Sequence, residues 1–191
     1  MAVALPSQEH TDDEPGAARG LLERALSGDP AAFSVWLESE YDFIYRLAYR
    51  RLGHRPDAED LTHIVCLSLP EKLARYSGRG TARGWLARVV LNASLDHRRR
   101  EKARASETVG ADVAHPAGAA DRVYLAQVLS ALERIAPKSR DALLLVAEGL
   151  THAEIAEALE CAEGTVGWHV SSARAQLTAQ LDKEGARGST P

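Results

Sequence analysis

The residues best suited to chemistry lie between Lys72 and Arg104, where Lys72, Arg75, Arg79, Arg83, Arg88, Arg98, Arg99, Arg100, Lys102 and Arg104 face only Asp96 and Glu101. A patch of this size attracts a polyanion. Tyr76 and Trp85 fall inside it, beside the turn Ser77-Gly78-Arg79-Gly80. Cations for phosphate and rings for stacking are what a surface for unpaired nucleic acid requires. Trp85 also adjoins the apolar stripe of Leu86 and Val89 and reads as core, while Tyr76 fits either role. Arg98-Arg99-Arg100 alone would be an ordinary solvated helix end, favoured there by the dipole. With Lys102 and Arg104 it makes five cations in seven residues, which weighs toward nucleic acid.

A second constellation runs from Thr151 to Leu177. Thr151-His152-Ala153-Glu154 has the form of a capping box at a helix start. Ile155, Ala156 and Leu159 give a short inward face, Cys161 to Gly164 a turn, and Val166, Val170, Ala173, Leu177 and Leu181 a long stripe. This is the layout of a helix-turn-helix. With the stripe inward, Thr165, Trp168, His169, Ser172 and Gln176 point outward, where a recognition helix presents side chains to base edges. Arg174 and Lys183 are nearly its only cations, so phosphate attraction is weak and the unit is expected to need help on DNA. A packing hairpin is the plain alternative.

Other chemistry is excluded or faint. Ser77 to Thr81 lacks the Gly-Lys-Ser/Thr ending of a phosphate-binding loop. His63 and Cys66 are one turn apart, yet no second pair completes a tetrahedron, so no metal is expected. No serine or cysteine has an evident base partner, so no catalytic residue, no cofactor and no enzyme are expected.

The elements that position these groups are helical. The 191 residues are 45% hydrophobic but only 5% aromatic, so the cores are built from Leu, Ala and Val, and no strand alternation is convincing. Asp29-Pro30 starts a helix carrying Phe33, Trp36 and Leu37, followed by a stripe of Tyr41, Ile44, Tyr45, Ala48 and Leu52 that Gly53 stops. The next helix opens near Pro56 and turns Ala58, Leu61, Ile64 and Val65 inward, and Pro70 is expected to break or kink it. A further helix sets Leu86, Val89, Val90 and Ala93 against Arg88, Asn92, Asp96 and Arg99.

Small and turn-forming residues over 105–121 read as a flexible linker. The expectation is an all-α chain of two small helical domains, 21–104 and 122–182, with disordered tails at 1–20 and 183–191. Cys66 and Cys161 are expected as small buried hydrophobes, not a disulfide. No stretch reads as a leader or a membrane span, which points to the cytoplasm. The net charge of −4 conceals a segregation, because Asp141 to Thr165 holds six acids and no Lys or Arg.

These residues resemble a bacterial RNA polymerase sigma factor of the extracytoplasmic-function (ECF) type, over roughly Gly28 to Leu181. Asp57-Ala58-Glu59-Asp60-Leu61, Gly84-Trp85-Leu86-Ala87-Arg88-Val89-Val90-Leu91-Asn92 and Leu95-Asp96-His97-Arg98-Arg99 are similar to the family's region 2. Leu132 to Arg140, Glu154-Ile155-Ala156-Glu157, Gly164-Thr165-Val166, Ala173-Arg174 and Leu177 are similar to its region 4, which carries the helix-turn-helix.

The resemblance implies a role in transcription initiation. It implies that Asp57, Asp60, Leu61 and His63 bind core RNA polymerase, on the clamp helices of the largest subunit, with the flap of the second largest as a further contact. It implies that Tyr76, Arg79, Arg83, Arg88, Asn92, Arg98, Arg99 and Arg100 meet and open the −10 promoter element. Thr165, Trp168, His169, Ser172 and Arg174 would read the −35 element, and an anti-sigma factor would be a partner. Two rival readings are a sigma-like decoy for an anti-sigma regulator and a stand-alone helix-turn-helix regulator. The sequence departs from the family at His63-Ile64, at Pro70, and at Gly167-Trp168-His169, where a lysine and an arginine are common.

Overall fold

The computed structural model describes residues 15–78, 80–107, 128 and 130–188, and among them there are helices and no strand. The helices are α1 (Pro15–Leu26), α2 (Pro30–Leu52), α3 (Arg55–Leu73), α4 (Ala82–Glu107), α5 (Pro137–Ala147), α6 (His152–Ala158) and α7 (Glu163–Gly188). Residues 130–133 are also helical. Contacts divide the chain into two compact units, Met1–Glu40 and Tyr41–Pro191. The expected linker falls largely outside the described residues, as does Arg79.

In the first unit, the α1–α2 turn is fixed by Asp29. Its Oδ1 accepts the N–H groups of Ala31 (3.0 Å) and Ala32 (3.1 Å), capping α2 as the sequence predicts. The Ala32 N–H and the Arg24 guanidinium hold its carboxyl below the usual range. Leu22, Ala32 and Trp36 are buried. α1 starts at Pro15, inside the stretch expected as a tail, because proline at the start followed by Ala17 and Ala18 favours a helix.

The second unit contains the rest of α2 with Phe43, Ile44, Leu47 and Ala48 buried. Gly53, at φ +73°, ends α2 with its N–H on the Tyr49 carbonyl at 2.8 Å. α3 packs on α4, with Ala58, Leu61, Val65 and Leu69 buried on one side and Leu86, Ala87 and Val90 on the other. One expectation for α3 fails and one is narrowed. The helix is not broken at Pro70 but runs through it to Leu73, with the ring on the exposed side of the last turn and only proline's own missing N–H taken from the ladder. Ile64 is 43% exposed, since the buried stripe 58–61–62–65–69 faces the other way.

α5, α6 and α7 pack on one another, and α6 also packs on α4. The capping box of α6 is present, with Thr151 Oγ1 accepting the Glu154 N–H and Glu154 Oε2 accepting the Thr151 N–H at 2.8 Å. Val166, Val170 and Ala173 are buried as predicted, and the α6–turn–α7 unit has the expected helix-turn-helix form. The turn differs in detail. α6 ends in a Schellman motif, with Cys161 N–H on the Ala156 carbonyl and Glu160 N–H on the Glu157 carbonyl. Its left-handed position is Glu160, at φ +49°, where glycine is usual, at a cost of about 1–2 kcal/mol. α7 continues to Gly188, beyond the expected boundary at 182, as Lys183, Glu184, Ala186 and Arg187 favour a helix and no proline interrupts them.

Both cysteines are free and half-buried, where small buried hydrophobes were expected, and burial pushes the Cys66 thiol up. No helix among the described residues is long and apolar enough to cross a membrane.

Candidate nucleic-acid interface

A groove of about 630 Å³ opens between α3, the segment that follows it and α4, walled on the α3 side by Ile64 and on the other by Tyr76, Trp85, Arg88, Asn92 and Arg100, with Glu157 at its edge. Four of the predicted −10 residues therefore meet in one place. The rings of Tyr76 and Trp85 are tilted against each other with centroids 5.0 Å apart. Trp85 is half-buried, so it serves core and groove wall at once. Burial, then the Glu157 charge, raises the Tyr76 phenol. Asn92, Arg99 and Arg100 are exposed on α4.

The remaining cations have other neighbours. The Arg83 guanidinium lies 5.0 Å from the centroid of the Phe43 ring, a cation–π contact. Arg98 turns toward α2 and donates to the Arg51 carbonyl at 2.8 Å and to Glu133 at 2.9 Å. Arg99 pairs with Asp96 at 3.3 Å, and Arg88 pairs with Glu160. The acidic stretch is thus distributed over the basic half of the chain. Glu148, its side chain 2% exposed, sits 3.1 Å from Arg46 and 3.0 Å from Arg50. Glu154 accepts from the Thr81 hydroxyl at 3.0 Å, and Glu157 from the Thr81 N–H at 3.0 Å. These pairings were not foreseen, because sequence periodicity carries no information on which distant charges meet.

On α7, Trp168 is 63% exposed, and Thr165 is exposed one turn before it. His169 is half-buried, its Nδ1 3.1 Å from the Ser139 hydroxyl and its ring edge-on to Trp168 with centroids 5.0 Å apart. Ser172 accepts from Gln176 at 2.9 Å. Arg174 is exposed but about 120° round the helix from Trp168. Gly167 lies close to His152, where an added Cβ would be 4.0 Å from its ring.

Of the predicted polymerase-binding residues, Asp60 and His63 are exposed on α3. Asp57 is half-buried, 3.1 Å from His54 and 4.0 Å from His97. Leu61 is 1% exposed and shapes the core from beneath. The outward face holds instead Ile64 and Leu67, the latter 83% exposed. Their spacing of three with Asp60 four before Ile64 was a legible signal, hidden by assigning Ile64 to the core.

The Sigma-70 region 2 family model matches residues 36–104, and the Sigma-70 region 4 model matches residues 125–177. The chain is 34% identical to the ECF RNA polymerase sigma factor SigE of Mycolicibacterium smegmatis, over 91% of this chain and 71% of that one. The chain belongs to the ECF RNA polymerase sigma factors. It is also 32% identical to the ECF sigma factor SigM of Mycobacterium tuberculosis, over 84% of this chain and 83% of that one. Among solved structures, it is similar to CnrH in complex with the cytosolic domain of CnrY, at 27% identity and a TM-score of 0.67, covering 87% of this chain and 98% of that one. The sigma factor RpoE of Bartonella quintana, solved with the anti-sigma factor NepR, shares the fold at 23% identity and a TM-score of 0.63, over 78% of this chain and 96% of that one. In this ECF sigma factor the region 2 match spans most of α2, all of α3 and most of α4, and the region 4 match spans α5, α6 and the first half of α7.

Proposed function

We propose that this ECF sigma factor binds core RNA polymerase, directs it to promoters and opens the −10 element without chemistry of its own. The observation that carries this reading is the groove, where Tyr76 and Trp85 offer rings, Asn92 hydrogen bonds, and Arg88 and Arg100 cations. An unstacked base needs a ring to stack on, and its backbone needs cations. The working halves are 21–104 for polymerase and the −10 element and 122–182 for the −35 element, joined through 105–121. Polymerase contact falls to the outward face of α3, with Asp60, His63, Ile64 and Leu67 toward the clamp helices of the largest subunit, and region 4 toward the flap of the second largest. The −35 element falls to Thr165, Trp168 and Ser172 on α7. A cytoplasmic anti-sigma factor is a further partner, in keeping with the CnrY domain held by CnrH.

The test is transcription in vitro from fragmented genomic DNA with purified core polymerase, with and without the chain. New RNA starts that share upstream elements support the reading. Core binding without starts favours a decoy for an anti-sigma regulator. Duplex binding by the chain without polymerase favours a stand-alone regulator.

A further inference from the structure

Trp168 is 63% exposed on α7, and the residues one turn away on the same helix, Gly164, Thr165, Ser171 and Ser172, are small. They give a large ring little to lean on. Gly167, immediately before it, adds backbone freedom and no side chain. The ring contact that the indole does make is with His169, at 5.0 Å between centroids and 69° between planes.

That imidazole is tied down from another helix. Its Nδ1 shares a hydrogen bond of 3.1 Å with the hydroxyl of Ser139, in the first turn of α5 and 30 residues upstream. Ser139 is 1% exposed, and α5 packs against α7, so the seat is a fixed one. A hydroxyl can give or take the proton, as can an imidazole nitrogen, and in either case the bond sets the plane of the ring. The plane of His169 in turn sets where the indole rests.

An apolar ring discriminates between base pairs by its placement. Held over one step it meets a thymine methyl there and fits its neighbours worse, whereas a loose ring refits to any step.

The structure assigns Ser139 a part in choosing the −35 sequence: buried under α7, with no surface to offer DNA, it is a positioning residue that fixes the Trp168 indole through His169. The inference rests on the reading of α7 as the −35 helix. Loss of the hydroxyl blurs the preference among promoters more than it weakens the best of them.

The first test follows the indole N–H resonances of the full chain, which has three tryptophans, with that of Trp168 assigned by its loss in Trp168→Phe. Ser139→Ala is expected to displace the Trp168 resonance and leave those of Trp36 and Trp85 in place, which a general loosening of the fold would not do. Ser139→Thr keeps the hydroxyl and is expected to restore it. Melting temperatures report whether each variant is folded. A Trp168 resonance that stays put in Ser139→Ala, that moves no more than the other two, or that is displaced as far in a folded Ser139→Thr chain would overturn the inference.

The second test is transcription with core polymerase across a series of −35 elements on a fixed −10 element. Ser139→Ala and His169→Ala are each expected to narrow the spread of activities about threefold, and the two together no further, because both act through one ring. In a Trp168→Ala chain, adding Ser139→Ala should change nothing more. Losses that multiply instead would overturn the inference. Activities that do not vary across the series even in the unaltered chain would overturn the −35 reading itself, and the resonance measurement, which uses neither DNA nor polymerase, separates the two failures.

Discussion

Arg51 and Asp141 meet at 3.2 Å with side chains 1% and 10% exposed, which makes them a buried charge pair between α2 and α5. Burial dominates both titrations: it lowers Arg51 to about 10 and raises Asp141, each toward its neutral form against the partner's attraction. Arg140 lies 3.7 Å from the same carboxylate and is lowered by the same burial. A pair of this kind costs about as much to desolvate as it returns.

Removing one partner should therefore be severe. Asp141→Ala leaves Arg51 and Arg140 buried without their counter-charge and is expected to lose about 3–5 kcal/mol in urea unfolding. Arg51→Met combined with Asp141→Leu should recover most of that loss. A single variant within about 0.5 kcal/mol of the unaltered chain, the usual range of an exposed substitution, would show that the pair is solvated.

Neighbouring residues of α3 should separate stability from docking. Leu61→Ala empties a fully buried position and is expected to cost about 2–5 kcal/mol. Leu67→Glu changes an exposed side chain, so melting should hold while transcription with core polymerase drops about tenfold, the equivalent of ~1.4 kcal/mol of binding. Equal transcription from the Leu67→Glu chain would remove this face from the polymerase contact.

The −35 reading predicts a particular dependence on Trp168. An exposed ring on a recognition helix contacts thymine methyls in the major groove and adds little to the salt slope. Trp168→Ala should cut the spread of activities across a −35 promoter series about tenfold, with activity on a fixed −10 element otherwise retained. His169→Ala should give a smaller loss of the same kind, because the imidazole holds the indole edge-on from its seat on Ser139. Promoters that respond identically in both variants and in the unaltered chain would take base reading away from this helix face.

Acid should loosen the contact between α6 and the head of α4. Burial pushes Glu154 up, but hydrogen bonds from the Thr151 N–H and hydroxyl and the Thr81 hydroxyl outweigh it and hold the carboxyl below its usual 4.5. A depressed carboxylate contributes stability that is present above the unfolded value and lost as pH falls through the folded one. Melting temperature should therefore fall below about pH 4.5, and Thr81→Val, which removes one of those bonds, should make the fall shallower. An unchanged acid limb in Thr81→Val would leave the lowering to the Thr151 bonds and the Arg83 charge.

Features set by a few adjacent residues were legible in the sequence. The Asp29 cap, the Gly53 stop, the Thr151–Glu154 capping box and the Val166–Val170–Ala173 stripe all follow from local hydrogen bonding or helical period. The break expected at Pro70 is absent because a proline in the last turn on an exposed face removes one bond without ending the helix. Ile64 was misread because an apolar residue near a stripe was taken as part of it, although its angular position lies outside. The groove's rings and cations were legible as a set. That Glu157 and Glu160 would lie among them was not, since the segregation of charge states that two surfaces attract and not where they touch.

The 26 residues of α4 form one continuous helix, held by Glu157 at Thr81 and by Glu133 at Arg98, roughly 25 Å apart along its axis. A rod gripped at two separated points behaves as a bivalent ligand of its own chain. When one grip opens, the other keeps the freed pair at high effective concentration, so it recloses faster than an outside competitor arrives. Joint loss of both ends should then exceed the sum of the separate losses, which makes release of the helix steeper than either contact alone would give.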